Sequence, residues 1–388
     1  MHSLLPFLQY AGIRTFLRGV LRYLFGRRGQ RRVMGLRLYY RARAMVMLHS
    51  AEPMARLTRV PEVRLWVDGE KSFRRIEKLL RRARHTIVIQ MFMWIDDATG
   101  RRMASVVLEA ADRGVQVQII KDAVGDMFEF AGDFLGTRTS PHDCWKRFWT
   151  HPNIRISYDT HHDHAKVYVI DDEILLLTGM NIADAYRSVY HDYLVELRGR
   201  RFVEQYLSRR TNPDSSADVT LVMNTEQQNS IRPVLMRMLA QARESVVVEH
   251  GYVSDPAVLD ALLALTHRGV RVTVIMPSAS HFHYYANMSA LGRLLSEAHR
   301  GKLRVFLYPK PIHAKVLLID HDTVFIGSAN LIRSSLDEMG EVNVLIRRKW
   351  RTSRKLRDTF REDILLSRPL HAPPSFLWIT RWLSWLGL

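Results

Sequence analysis

A short pattern that occurs twice, 149 residues apart, constrains this chain more than any other feature. The first copy reads His164-Ala165-Lys166-Val167-Tyr168-Val169-Ile170-Asp171, and the second His313-Ala314-Lys315-Val316-Leu317-Leu318-Ile319-Asp320. After six intervening residues come Thr178-Gly179-Met180-Asn181 and Gly327-Ser328-Ala329-Asn330. Residues two apart on a strand share a face, so each histidine and its lysine point the same way. A lysine buried beside a histidine is costly unless an anion sits there. Two such units, each followed by a Gly/Asn turn, fit a phosphate site divided between two strands.

The repeat reaches beyond the motifs. Ala83-Arg-His-Thr-Ile-Val-Ile-Gln precedes the first copy and Ala242-Arg-Glu-Ser-Val-Val-Val-Glu the second, while Arg113-Gly114-Val115 is echoed by Arg268-Gly269-Val270. Each half therefore reads as strand, helix, Arg-Gly turn, strand and motif strand, a β/α alternation. The turn glycines suit a helix C′ position, where positive φ costs little. A period near 150 residues is too long for a solenoid. In a chain of 388 residues it predicts two fused α/β domains related by pseudo-twofold symmetry, with the site at their interface. The expected divisions are a basic arm over 1–60, domains over 61–213 and 214–370, and a Trp-rich tail over 371–388.

Phosphodiester exchange needs a nucleophile, an acid for the leaving oxygen, and donors for the non-bridging oxygens. One imidazole can attack phosphorus while the other protonates the leaving alkoxide. Lys166 and Lys315 supply charge and Asn181 and Asn330 amide donors where negative charge accumulates. Asp192 follows His164 by 28 residues, and Glu341 follows His313 by the same interval, so each half offers a carboxylate to orient a histidine. Asp171 and Asp320 complete the two His-Lys-Asp catalytic sets and are expected to fix the turn or the lysine. The units hold too few carboxylates for a Mg²⁺ cage and no zinc-ligand spacing, so neither metal nor other cofactor is expected. His161 and His162 have no counterpart in the second half and read as loop residues.

These paired motifs resemble those of the phospholipase D superfamily, and within it the bacterial cardiolipin synthases of the non-spanning type. The segments Trp66-Val-Asp68-Gly69-Glu70, Asp96-Asp97-Ala-Thr-Gly100-Arg101-Arg102, Thr178 to Asp184, Gly327 to Leu331 and Glu341-Val342-Asn343 carry the closer likeness, which spans about residues 62 to 348. The resemblance implies His164 as nucleophile, His313 as general acid and base, and phosphate binding by Lys166, Lys315, Asn181 and Asn330. Thr178 stands where the family usually has glycine, and its hydroxyl is expected to narrow the first phosphate subsite. The implied reaction transfers a phosphatidyl group between two phosphatidylglycerols through a phosphohistidine, giving cardiolipin and glycerol.

The formal net charge of +18 is concentrated at one end: residues 1–60 hold twelve arginines against the single acid Glu52. Such an arm wants a polyanion, either nucleic acid or an anionic membrane. Arg14, Arg18 and Arg22 line one helical face, with Ile13, Leu17, Val20 and Leu24 opposite, the pattern of an interfacial helix or of one packed on the enzyme. Trp378, Trp382 and Trp385 recur at i, i+4 and i+7, suiting either a headgroup boundary or a core. Amphipathic helices at both termini favour an anionic phospholipid membrane over nucleic acid. No run approaches a membrane span, arginines interrupt any signal-peptide core, and the lone Cys144 excludes an internal disulfide. The expected location is the cytoplasmic side of the inner membrane, peripherally bound.

Aromatic stretches at 125–155 and 278–288 could line an acyl-chain channel or pack the domain interface. Hydrolysis of phospholipids by the same site is the alternative reaction, with a nuclease and an idle membrane scaffold behind it. Fused halves make an oligomer unnecessary for catalysis.

Overall fold

The computed structural model describes residues 62–125, 143–159, 162–211, 216–279 and 283–372. The runs of Val, Ile and Leu around each motif become strands because β-branched side chains pack well on a pleated surface. The first half contributes β1 (Val63–Val67), β2 (Thr86–Met91), β3 (Gln116–Asp122), β4 (Ile154–Asp159), β5 (Lys166–Ile170), β6 (Ile174–Thr178) and β7 (Tyr193–Arg198). The second contributes β8 (Val219–Thr225), β9 (Gln228–Asn229), β10 (Ser245–His250), β11 (Arg271–Pro277), β12 (Leu303–Tyr308), β13 (Lys315–Ile319), β14 (Thr323–Gly327), β15 (Glu341–Ile346) and β16 (Arg368–Leu370).

The first sheet runs β1-β7-β6-β5-β2-β3-β4. The second repeats it as β8-β15-β14-β13-β10-β11-β12, extended at its edges by β9 and β16. In both, the motif strand is central. Strands β2, β3 and β4 are parallel to one another, and β5 turns antiparallel against β2. The β2–β3 and β10–β11 crossovers use the helices read from the sequence, Ala98–Asp112 and Pro256–His267. Asp97 and Asp255 cap these helices by accepting from Gly100 N and Val258 N. Gly114 (φ 92°) and Gly269 (φ 85°) end the same helices as expected.

Side-chain alternation sorts the apolar residues into three cores. Ile87, Ile89, Tyr168 and Ile170 pack under the first-half helices, and Val246, Val248, Leu317 and Ile319 under the second-half helices. The opposite faces, with Val88, Val167, Val169, Val316 and Leu318, meet in one core common to both halves. Two helices close that core by exchange. The Arg200–Ser208 helix of the first half packs on β8, and the Trp350–Leu366 helix of the second packs on β1. Lys355 also donates to the Leu65 carbonyl of β1 at 2.7 Å. The halves thus share a hydrophobic interior and do not merely touch.

No helix among the described residues is long and apolar enough to cross a membrane. The amphipathic segments expected at the two termini, and the 212–215 link where the domain boundary was expected, lie outside the described residues. Of the aromatics at 125–155, Trp145 and Phe148 pack edge-on against Trp94 in the first-half core, while Trp149 is exposed.

Phe360 lies in the common core on the exchanged helix. Phe360→Ala is expected to cost about 3–5 kcal/mol and to lower both halves in a single thermal transition. Two separated calorimetric transitions would show that the halves fold independently.

Candidate active site

Each motif histidine stands just ahead of its strand, at the end where the parallel strands of its sheet finish. Carboxyl ends of parallel strands are the usual place for a site in such sheets. What brings the two sites together is a pair of short backbone bridges, Asp163 to Gly340 and His191 to Ile312. His164 N donates to Gly340 O at 2.7 Å, and His313 N to His191 O at 2.9 Å. The lead-in to each motif strand is therefore stitched to the residue that precedes the other half's acid.

The orienting carboxylates are exchanged as a result. Glu341 Oε1 lies 3.1 Å from His164 Nδ1, and Asp192 Oδ2 lies 2.9 Å from His313 Nδ1. The equal offsets found both acids, and the structure pairs each with the histidine of the other half. An acceptor at Nδ1 selects the Nδ1–H tautomer and leaves a lone pair on Nε2. Both carboxylates are themselves held, Asp192 by Tyr193 N at 2.7 Å and Glu341 by the Ser335 hydroxyl at 2.5 Å. Gly179 makes the approach of Asp192 possible, since a Cβ there would lie 2.6 Å from its Oδ2.

Lys166 and Lys315 are each 1% exposed. Both ammonium groups donate back to the carbonyl of their own histidine. Burial pushes Lys166 down to about 7 and Lys315 down to about 8, against the pull of Glu341 and Asp192. Burial, and then the neighbouring lysines, lower His164 and carry His313 well below the usual imidazole range. Burial pushes Asp192 up to about 7 despite Lys315. Two lysines, two histidines and two acids thus act on one another in one desolvated cluster, set up to accept an anion.

The halves are not identical in detail. Lys315 Nζ lies 3.1 and 3.3 Å from the two ring nitrogens of His313, on the axis of neither lone pair. Lys166 Nζ instead sits 5.1 Å from the centre of the Phe92 ring, which also meets His164 edge-on at 4.8 Å. The position of Phe92 is taken by Gly251 in the second half. Tyr186 and Tyr190 cover His313, at 5.0 and 6.1 Å.

Three expectations change. Asp171 and Asp320 lie at the far ends of β5 and β13, about 20 Å of extended chain from the histidines, and do not join the cluster. Asp171 accepts from the backbone N–H groups of Arg84, His85 and Thr86, and Asp320 from those of Arg243, Glu244 and Ser245. They pin the start of β2 and β10 and hold neither lysine. Thr178 does not narrow a subsite: its hydroxyl donates to Tyr193 O and accepts from Met180 N. The asparagines differ as well. Asn181 accepts from Met93 N and donates to the Tyr186 hydroxyl at 2.9 Å, leaving one amide hydrogen for a ligand. Asn330 keeps a buried amide oxygen without a hydrogen-bond partner. His162 reads correctly as a loop residue, its carbonyl accepting from Gly340 N, while His161 lies outside the described residues.

Residues missed in the sequence are Ser335 and Tyr186, each five positions after its motif asparagine, and Phe92. The matched offset of the first two was a usable signal; Phe92 breaks the repeat and gave none.

Two outcomes are expected. Burial holds both Lys166 and Lys315 well below the usual lysine range, and a bound oxyanion raises both. Tungstate binding at about pH 8 should therefore take up protons, measured by calorimetry in buffers of different ionisation enthalpy; net proton release would contradict the cluster's electrostatics. Asp171→Ala should act through stability, at about 1–2 kcal/mol for the lost charged acceptor. Lost turnover at unchanged stability would return Asp171 to the chemistry.

The family described as cardiolipin synthase, PLD-like domain, matches residues 76–209 and 235–364. Cardiolipin synthase A of Pseudomonas aeruginosa is 30% identical over 335 residues, covering 75% of this chain and 66% of that protein. The chain thus spans just under two thirds of that relative's length. Cardiolipin synthase B of Escherichia coli O6:H1 is 26% identical over 336 residues, covering 78% of this chain and 79% of its own length. The crystal structure of phosphatidylserine synthase from Haemophilus influenzae has the same fold, with a TM-score of 0.66 at 14% identity over 85% of this chain and 92% of that one. With both family segments matched and one motif in each, the chain belongs to the cardiolipin synthase family of phospholipase D-like proteins.

Proposed function

We propose that this chain is a phosphatidyltransferase that makes cardiolipin from two phosphatidylglycerols. One observation carries the reading: two imidazoles, each held at Nδ1 by a carboxylate of the other half, stand beside two buried lysines.

In this mechanism the phosphodiester of one phosphatidylglycerol occupies the cluster, and its charge is met by Lys166 and Lys315. The same anion raises the affinity of His313 for a proton, so the acid is charged only once substrate is in place. His164 Nε2 attacks phosphorus; the bond to the glycerol oxygen breaks, and His313 protonates that oxygen. A hydroxyl of the second phosphatidylglycerol then gives its proton to His313 and attacks the phosphohistidine, releasing His164. One phosphoester replaces another in each step, so no nucleotide is needed. The difference between the histidines supports separate roles: Phe92 walls His164, whereas His313 lies beneath two tyrosines and beside Lys315. Peripheral binding to the cytoplasmic face of an anionic membrane through residues 1–60 fits the substrate, at roughly 1 kcal/mol for each basic side chain near the surface.

The test is product analysis with phosphatidylglycerol vesicles. Cardiolipin and free glycerol are expected, with His164→Ala slower by about 10³-fold or more. Phosphatidic acid as the sole lipid product would make the protein a hydrolase. Asp192→Asn should fold normally yet lose about 10²–10⁴-fold in turnover, through the His313 tautomer. A phosphohistidine trapped on His164 in a His313→Ala background would fix the roles; trapping on neither would remove the covalent mechanism.

A further inference from the structure

Behind the catalytic pair lies a second cluster that the reaction does not use. His191, the residue before Asp192, donates from Nδ1 to Asp68 Oδ1 or shares a proton with it at 2.7 Å. Its Nε2 lies 3.3 Å from the Tyr193 hydroxyl, which donates to Glu249 Oε2 at 2.5 Å, and faces that Oε2 at 3.5 Å and Asp363 Oδ2 at 3.6 Å. Glu249 and Asp363 are 0% and 4% exposed, and Glu249 Oε1 and Asp363 Oδ2 have no hydrogen-bond partner. One ligand atom from each of the three residues lies within 4.8 Å of the others.

From this arrangement the geometry points to a divalent transition-metal site, zinc in class, bound by His191 Nε2, Glu249 and Asp363. Metal–ligand bonds of 2.0–2.2 Å in a tetrahedron separate neighbouring ligand atoms by about 3.3–3.6 Å, which is the spacing already present around Nε2. Asp68 supplies what a metal-bound histidine ordinarily has, a carboxylate on the other ring nitrogen that fixes the tautomer. Asp68 adopts φ 65° to do so. His, Glu and Asp are borderline-to-hard donors suited to zinc or manganese rather than to a soft ion. A cavity of about 720 Å³, lined by Asp68, His191 and Asp363, offers a route in and a fourth position for water. Lys71, Lys310, Arg351, Arg354 and Lys355 on its wall oppose a cation at long range. The unpartnered Asp363 Oδ2 and the buried Glu249 carboxylate lie close enough to His191 Nε2 to outweigh charges screened by solvent.

The repeat indicates that the fold does not require this cluster. In the first half the position of Glu249 is held by neutral Gln90, bonded to the Tyr206 hydroxyl, and the position of His191 corresponds to Gly340 in the second. The ion would tie β10 and the Trp350–Leu366 helix to the backbone just ahead of Asp192. The carbonyl of His191 accepts from His313 N and Ala314 N, so the clamp would steady both partners of one catalytic pair.

The test uses the full chain, stripped with chelator and titrated with zinc or manganese chloride alone. One equivalent should bind at micromolar or tighter affinity and raise the melting temperature. Binding should survive His164→Asn/His313→Asn, which removes the competing imidazoles, and disappear in Glu249→Gln and Asp363→Asn. Asp68→Asn should weaken it by about 10–100-fold. Melting each variant in chelator separates lost binding from lost folding, because neutralising one of two facing carboxylates relieves repulsion in the ion-free protein. No binding by the wild type, or binding that persists in Glu249→Gln and Asp363→Asn but vanishes with the catalytic histidines, overturns the assignment.

Discussion

Everything at the centre of this molecule depends on a carboxylate of one half reaching the imidazole of the other. Asp192 and Glu341 are buried acids, and a buried acid without a partner is expensive. Each finds its imidazole across the interface, at 2.9 Å to His313 and 3.1 Å to His164. That requirement explains why the lead-in strands are bridged, why Gly179 has no side chain, and why the last helix of each half lies on the first strand of the other. The shared hydrophobic core supplies the cohesion; the carboxylate–imidazole hydrogen bonds supply the register.

Much of this was legible in the chain because repetition is a strong signal. Two copies of His-x-Lys at matched distance from an asparagine located the central strands, the Arg-Gly turns located the helix ends, and the common offset located both acids. Which acid serves which histidine was not legible, for a definite reason. A pair of equal offsets is unchanged when the two partners are exchanged, so symmetry conceals the crossing. The motif aspartates misled for another reason. Asp171 and Asp320 recur because each sheet needs its β2 or β10 start anchored, and recurrence alone does not separate a structural need from a chemical one.

Departures from symmetry carry information of a different kind. Phe92 against Gly251, and Tyr186 against Ser335, give the two histidines unlike surroundings although their backbones match. His191, Glu249 and Asp363 come from three distant segments and share no spacing pattern, so only the folded chain assembles them. The local sequence records what the two halves have in common; tertiary structure records how they were made to differ.

The exchange of acids also governs what happens if the interface loosens. Because both carboxylates cross in opposite directions, a small separation of the halves withdraws them together, and neither histidine retains its tautomer. A partly opened molecule therefore has no half-competent centre. The seam works as an interlock, in which catalytic power is present only while the two sheets are fully seated and bound substrate is shielded from stray water.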